Sequence, residues 1–208
     1  MTNRPASRPP HHHHATLEDA LDFLNTLEHD DGVTIEHLPT PEAAVAWLAG
    51  RGLLHPEAVP TDAGEAALPR IRRVRSALRE VYDAVVEERA PDARALATVN
   101  RALRAREILE LVPGPGGLSL GHRHVGDPVD DALARLIEPL VEELVSGRRD
   151  RLRICANEEC RWVFLDESPA GRRRWCSMTS CGNRAKVARY RARRKGTPAP
   201  ADGSGVQA

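Results

Sequence analysis

The sequence predicts a mainly α protein: a multi-helical N-terminal domain that includes one β-hairpin, followed by a small C-terminal zinc module. Three observations predict this class. Apolar residues recur at helical spacing over most of the first 147 positions. Two short apolar runs flank a glycine-rich loop at residues 113–117. All four cysteines of the 208-residue chain lie in two close pairs near its end.

The helices of the N-terminal domain each have a start signal. Thr16 can cap a first helix, and Thr40-Pro41 combines a cap with proline at the first helical position. A third helix is clear after Pro69, and others are expected from Pro91-Asp92 and Asp127-Pro128. Between these last two helices, the spacing of apolar residues changes from helical to strand-like, where the hairpin is predicted. Residues 16–147 are therefore predicted to form the helical domain.

Asn25 and Thr26 are unusual choices inside the first helix. Their side chains compete for backbone hydrogen bonds, so they mark either the helix end or a contact to a buried partner. A structural hydrogen bond is favoured over ligand binding. If the helical domain binds a small-molecule ligand, these two residues are the predicted site.

The cysteine pairs predict a metal site. Four residues separate Cys155 from Cys160 and Cys176 from Cys181, and fifteen separate the pairs. Two close pairs suit one tetrahedral, structural Zn²⁺ with four thiolate ligands. Two disulfides are the alternative, but the paired spacing and a cytoplasmic chain favour metal.

The elements around the cysteines predict the fold of the zinc module, residues 148–195. Short strands are expected at 151–154 and 162–165, and a helix from Gly182 to Lys195. This order resembles a treble clef. It has a first zinc knuckle at Cys155 and Cys160, then a hairpin, then a second knuckle at Cys176 and Cys181 at a helix N-terminus. Metal would stabilise this segment, because it has too few apolar residues for a core of its own.

Composition limits the remaining possibilities. No window approaches the roughly 20 apolar residues of a membrane span, and no secretory signal is recognisable. A cytoplasmic protein without a membrane partner is expected. Residues 1–15 and 196–208 are predicted to be a disordered arm and tail.

The net charge of zero hides a strong asymmetry. Arg148 to Lys195 contains fifteen basic and five acidic residues, whereas the rest of the chain contains fifteen basic and twenty-five acidic residues. A basic module of this kind predicts an anionic partner, although it could also bind the acidic body of its own chain or simply be a solvated face.

Several motifs resemble a known family. Cys155-x4-Cys160, Phe164-Leu-Asp166-x-Ser168, Arg173-Arg-Trp-Cys-Ser-Met178 and Cys181-Gly-Asn-Arg184 are similar to CGNR zinc-finger proteins. Asp22-Phe-Leu-Asn-Thr26 and Trp47-Leu48 with Gly52-Leu-Leu54 resemble the ABATE domain that precedes that finger, described as a stress-induced transcription regulator. The resemblance covers Thr16 to Lys195. It implies zinc binding by four cysteines and DNA binding.

DNA is therefore the predicted partner, because a basic helix fits the major groove and arginine forks suit phosphates and guanine edges. Some of these side chains could instead anchor the module or brace its knuckles. The predicted nucleic-acid-binding residues are Arg172, Arg173, Arg174, Arg184, Lys186, Arg189, Arg191, Arg193 and Arg194.

The sequence thus predicts a DNA-binding transcription regulator in which the helical domain senses a signal or forms a homodimer. The alternative is a zinc-stabilised protein-interaction or redox-switch module without DNA binding. An enzyme is not expected, because four thiolates close the zinc shell and no general base lies nearby in the sequence.

Overall fold

The computed structural model describes residues 15–54, 61–105, 108–114, 116–123 and 126–196. Apart from Ala15 and Gly196, the predicted disordered arm and tail lie outside these residues. Six helices occur in the described part of the chain: α1 Leu17–Asn25, α2 Pro41–Gly50, α3 Thr61–Val86, α4 Ala93–Leu103, α5 Pro128–Val145 and α6 Asn183–Gly196. Its strands are β1 Leu27–Asp30, β2 Val33–Glu36, β3 Ile108–Gly114, β4 Gly117–Arg123, β5 Leu152–Ile154 and β6 Val163–Leu165. The predicted mainly α class is confirmed.

The helix starts follow the predicted caps. Thr16 accepts a hydrogen bond from the Asp19 backbone while the Asp19 carboxylate accepts one from Thr16, a complete capping box. Thr40 caps α2, with Pro41 at its first position. Asp92 and Asp127 cap α4 and α5 through backbone N–H groups of the first turn.

A hairpin that was not among the predicted elements follows α1. Strands β1 and β2 pair antiparallel, with Asp30 opposite Val33 and only two residues in the turn. Asp31 has φ 52° and Gly32 has φ 79°, so both turn residues are left-handed. This combination is typical of the tight hairpin turn that Asp-Gly favours. The dipeptide followed by Val33 is the sequence signal for this hairpin.

Helix α3 begins earlier than predicted, at Thr61, and contains Pro69 in its interior. Proline removes one backbone hydrogen bond there. Burial of the flanking residues compensates for this loss, since Ala67 and Ile71 are each 1 % exposed in the core. The predicted β3–β4 hairpin is confirmed, with Ile108 opposite Arg123 and Gly114 opposite Gly117.

One apolar core extends from the helical domain into the zinc module. Its largest fully buried side chains come mostly from α1, α3 and α5, and include Phe23, Leu78 and Tyr82. Leu152 of β5 and Val163 of β6 belong to the same cluster. The β5–β6 hairpin therefore packs directly on the helices. Within the described residues, no helix is both long and apolar enough to cross a membrane.

Candidate metal centre

Two loops bring the four cysteines together. Cys155 and Cys160 lie in the loop that joins β5 to β6, and Cys176 and Cys181 lie in the segment that leads into α6. Their sulfur atoms all lie within 4.8 Å of one another. The separation is 3.7 Å between Cys160 and Cys176 and 3.8 Å between Cys176 and Cys181.

These distances fit a tetrahedral zinc ion. A Zn–S bond of about 2.3 Å places the sulfurs of a regular tetrahedron about 3.8 Å apart. A disulfide would instead require about 2.05 Å, and all four cysteines are free thiols. Three of the four are buried, and the donor set is entirely thiolate. The cysteines therefore hold one structural Zn²⁺, as predicted.

The first cysteine pair is shaped by backbone hydrogen bonds. The N–H of Cys155 donates to the Trp162 carbonyl at 2.8 Å, and the N–H of Cys160 donates to the Asn157 carbonyl at 2.9 Å. Arg161 then takes a left-handed conformation, with φ 49°. Such a conformation is uncommon for arginine, so the loop depends on external contacts that hold Arg161 in place.

The second cysteine pair lies on a helical turn. The Ser177 side chain accepts a hydrogen bond from the Ser180 backbone, and the Gly182 N–H donates to the Ser177 carbonyl at 2.9 Å. A Cβ atom at Gly182 would lie 3.0 Å from the Met178 sulfur and 3.3 Å from the Trp175 ring. A side chain at this position would require Met178 to shift, because the knuckle packs closely against the start of α6.

The thiols need a cation to ionise together. Burial raises the pKa of Cys160 to about 11 and raises the pKa of Cys176 further above its ordinary value. Cys181 is also buried, but the hydrogen bond that Asn157 donates to its sulfur, at 3.7 Å, helps to lower its pKa. A bound Zn²⁺ would supply the positive charge that four neighbouring thiolates require.

Asp166 organises the long loop between the two pairs. It is 1 % exposed, and its carboxylate oxygens accept hydrogen bonds from the backbone N–H groups of Ser168 at 3.0 Å and Arg173 at 2.8 Å. Hydrogen bonds from Ser168 and Arg173 lower the pKa of Asp166 to about 2. The sequence motif that contains Asp166 did not by itself indicate this role.

Polar contacts fix the zinc module on the helical domain. The Asn25 amide donates to the Val163 carbonyl at 2.9 Å, and its oxygen accepts from the Val163 N–H at 3.0 Å. From α3, the Tyr82 hydroxyl donates to the Arg153 carbonyl at 2.9 Å, and Arg79 donates to the Arg161 carbonyl at 2.7 Å. Helices α1 and α3 therefore hold strands β5 and β6 and the left-handed Arg161 in place.

Asn25 and Thr26 occupy the end of α1, which is one of the two predicted alternatives. Thr26 donates to the Phe23 carbonyl at 2.7 Å and accepts from Arg75 at 2.8 Å. Asn25 also lines a cleft of about 390 Å³ between α1 and β6, with Trp162 and Phe164. Both polar side chains have protein partners, and their role in ligand binding stays a prediction.

Several of the predicted nucleic-acid-binding arginines make contacts within the protein. Arg173 donates to the Cys176 carbonyl at 2.7 Å and lies 4.9 Å from the centre of the Phe164 ring. Arg174 lies 5.3 Å from the centre of the Trp175 ring. Arg184 pairs with Asp30 of the β1–β2 hairpin at 2.8 Å. Arg173 therefore braces the second knuckle, and Arg184 links the start of α6 to the β1–β2 hairpin.

The other predicted residues lie on an open surface. Among the α6 side chains that the structure describes, none is buried, and Val187 and Tyr190 are 41 % and 61 % exposed. At about 100° per residue, Lys186, Arg189 and Arg193 fall within an arc of about 60° on one face. The remaining members of the predicted set, all of them exposed, are Arg172, Lys186, Arg189, Arg191, Arg193 and Arg194.

Two family models match the chain. The CGNR zinc finger matches residues 151–194, which include all four cysteines. The ABATE family, described as "Putative stress-induced transcription regulator", matches residues 18–147 and so covers more than half of the chain. No functionally curated protein matches the sequence.

Proposed function

Since the chain belongs to the ABATE family and carries a CGNR zinc finger at residues 151–194, we propose that it is a transcription regulator that binds DNA through its zinc module. One observation carries the proposal: α6 projects from the zinc centre with basic side chains and no buried face among its described residues. A helix without a buried face gains little from tertiary contacts, so its composition is better explained by an external partner. The charge of the module indicates that this partner is anionic.

The exposed arc of Lys186, Arg189 and Arg193 is the proposed contact face. A major groove is wide enough for one α-helix, and these side chains can reach phosphates or guanine edges from it. Arg172 lies in the loop before the second knuckle and is exposed. It would add a phosphate contact beside the helix. Arg173 and Arg184 act differently, since their contacts within the protein position the loop and the helix.

Zinc serves this function by holding the surface in shape. The four sulfurs complete a tetrahedral shell, which leaves no open position for a substrate or an activated water. We therefore propose a structural zinc and a protein that is not an enzyme. A cytoplasmic location is part of the same proposal.

The helical domain would supply regulation, by binding a small molecule or by forming a homodimer. The hydrogen bonds that Tyr82 and Arg79 donate to the backbone of the zinc module support this proposal, because they connect the helical domain to that module. A change in the packing of α3 would therefore move the β5–β6 hairpin and, with it, the knuckles that carry α6.

The proposal is tested by the salt dependence of DNA binding. The zinc-loaded protein is titrated with mixed genomic DNA fragments at several salt concentrations. A variant with Lys186→Gln, Arg189→Gln and Arg193→Gln should bind more weakly and reduce the slope of log affinity against log salt by about 2–3 units, if each residue contacts one phosphate.

A matched control removes the same charge elsewhere. Arg94, Arg101 and Arg104 are exposed on or beside α4, and their joint change to Gln should leave affinity and slope nearly unchanged. Equal loss in both variants would show an effect of net charge alone. No binding by the unmodified protein at low salt would contradict DNA binding and favour a protein-interaction or redox-switch module.

A further inference from the structure

A cleft of about 230 Å³ lies on the helical domain where α3, α4 and α5 meet. Its floor is apolar and comes from all three helices, through Val74, Ala102 and Leu133. Val74 and Leu133 are 8 % and 1 % exposed and belong to the main core. The cleft is thus a depression in a packed surface, which a ligand could occupy without rearranging the domain.

Arginine side chains surround this apolar floor. Arg70 is already engaged, since it pairs with Asp127 and with Asp130 at 3.1 Å, although its Nε atom is buried without a hydrogen-bond partner. Arg73 and Arg101 also line the cleft and are exposed. In the described ranges of the chain, no acidic side chain forms an ion pair with either of them. Two arginines that line the cleft therefore have guanidinium donors available.

We propose that this cleft binds a small organic carboxylate with an apolar body. The carboxylate would accept hydrogen bonds from Arg73 and Arg101, and the apolar part would cover Val74, Ala102 and Leu133. Guanidinium forks match the planar geometry of a carboxylate. The volume is below the roughly 300–1,000 Å³ typical of sites for drug-sized molecules, so the ligand is small.

The acidic side of the cleft favours a ligand with one negative charge over a ligand with two. Asp130 lines the same cleft, and burial raises its pKa, so this side is poorly solvated. A phosphate dianion would meet repulsion from Asp130 and would leave the apolar floor uncovered. A monoanionic acid meets less of this repulsion, and its apolar body covers the floor. It would also bind at a place separate from Asn25 and Thr26, whose polar groups already have protein partners.

Helix α3 connects this cleft to the zinc module. Arg73 and Tyr82 are nine residues apart on one continuous helix, a distance of about 13 Å along its axis. Tyr82 donates to the backbone of β5, which leads directly to Cys155. A role for the carboxylate as an effector rests on the DNA-binding function proposed above, whereas binding of the carboxylate does not.

Binding is measured by isothermal titration of the full zinc-loaded chain, without DNA. The probes are benzoate and hexanoate, with benzamide as the neutral counterpart of benzoate and inorganic phosphate as the competing anion. Acids of this size should saturate the site with a Kd of roughly millimolar order. Arg73→Gln and Arg101→Gln should each weaken benzoate binding by about tenfold, and the double variant should abolish it.

The control is Arg94→Gln, which changes an exposed arginine of α4 that does not line the cleft. This variant should leave the Kd for benzoate within about twofold of the unmodified value, because surface substitutions away from a site have small effects. The proposal is overturned if neither acid binds saturably, or if benzamide binds as tightly as benzoate. It is also overturned if phosphate binds more tightly than both acids. A further contrary result would be benzoate binding by the Arg73 and Arg101 variants that equals binding by the unmodified protein. A carboxylate that binds without altering DNA affinity would remove the effector role alone. Loss of DNA binding in the α6 variant with benzoate binding intact separates the two proposals.

Discussion

The two hydrogen bonds between Asn25 and Val163 carry a prediction about what Asn25 does. Both bonds are buried, and they join α1 to the outer edge of β6 across 138 residues of sequence. Replacing Asn25 by Ala removes both partners of the Val163 peptide group. The N–H and the carbonyl of Val163 would then be buried without hydrogen-bond partners.

The expected cost follows from those two groups. A buried hydrogen bond contributes about 1 kcal/mol net, and a buried donor or acceptor left unpaired costs about 1–3 kcal/mol. Because water can enter the neighbouring cleft and pair with part of the exposed backbone, we expect a loss of about 2–4 kcal/mol for Asn25→Ala. Asn25→Asp should also destabilise the fold, since its carboxylate can accept from the Val163 N–H but repels the Val163 carbonyl.

Urea unfolding of the zinc-loaded protein measures this loss, and hydrogen exchange at the Val163 amide localises it. Asn100→Ala is the matched control, because Asn100 is exposed on α4 and its replacement should change the free energy of unfolding by less than about 0.5 kcal/mol. If Asn25→Ala changed stability as little as Asn100→Ala, with unaltered exchange at Val163, the structural role would be refuted. Ligand binding would then be the better explanation of Asn25.

Two further predictions concern the zinc centre and its support. Cys176→Ser should reduce the metal content from about one zinc per chain to near zero in metal analysis, because zinc loses a thiolate from its closed shell. Ser180→Ala is the control and should keep its zinc. Full retention of zinc by Cys176→Ser would contradict the four-sulfur site. Burial raises the pKa of Tyr82 above the ordinary value of about 10, so the unfolded chain loses this proton first and stability declines above that pH. The decline between pH 10 and 11 should be about 1 kcal/mol smaller in Tyr82→Phe, and parallel pH profiles of the two proteins would contradict this assignment.

Local signals in the sequence predicted most of the fold. The caps at Thr16, Thr40 and Asp127 each act within three residues, so the sequence alone contains both partners of the interaction. The same is true of the turn at Asp31-Gly32, whose chemistry is local although the hairpin was not predicted. The early start of α3 could not be predicted in this way. Burial on both sides of Pro69 outweighs the lost hydrogen bond, and that burial depends on other helices.

The metal site was predictable because its four ligands form two local pairs, whereas its supports were not. Asn25 reaches Val163 and Arg184 reaches Asp30 only after the chain has folded, across 138 and 154 residues respectively. The sequence could show that the C-terminal segment is basic. Only the structure could distinguish Arg173 and Arg184, which have partners within the protein, from exposed side chains such as Lys186 and Arg189.

Packing across the two family matches makes the zinc module mechanically dependent on the helices. The CGNR match begins at residue 151, yet Leu152 and Val163 are 0 % and 1 % exposed within the core that the helices build. Zinc holds the two knuckles to each other, but it does not orient them. Orientation comes from Asn25, Arg79 and Tyr82, which contact the backbone of the β5–β6 hairpin or the knuckle beside it. The effector proposed above would therefore act on α6 through these backbone contacts rather than through the metal.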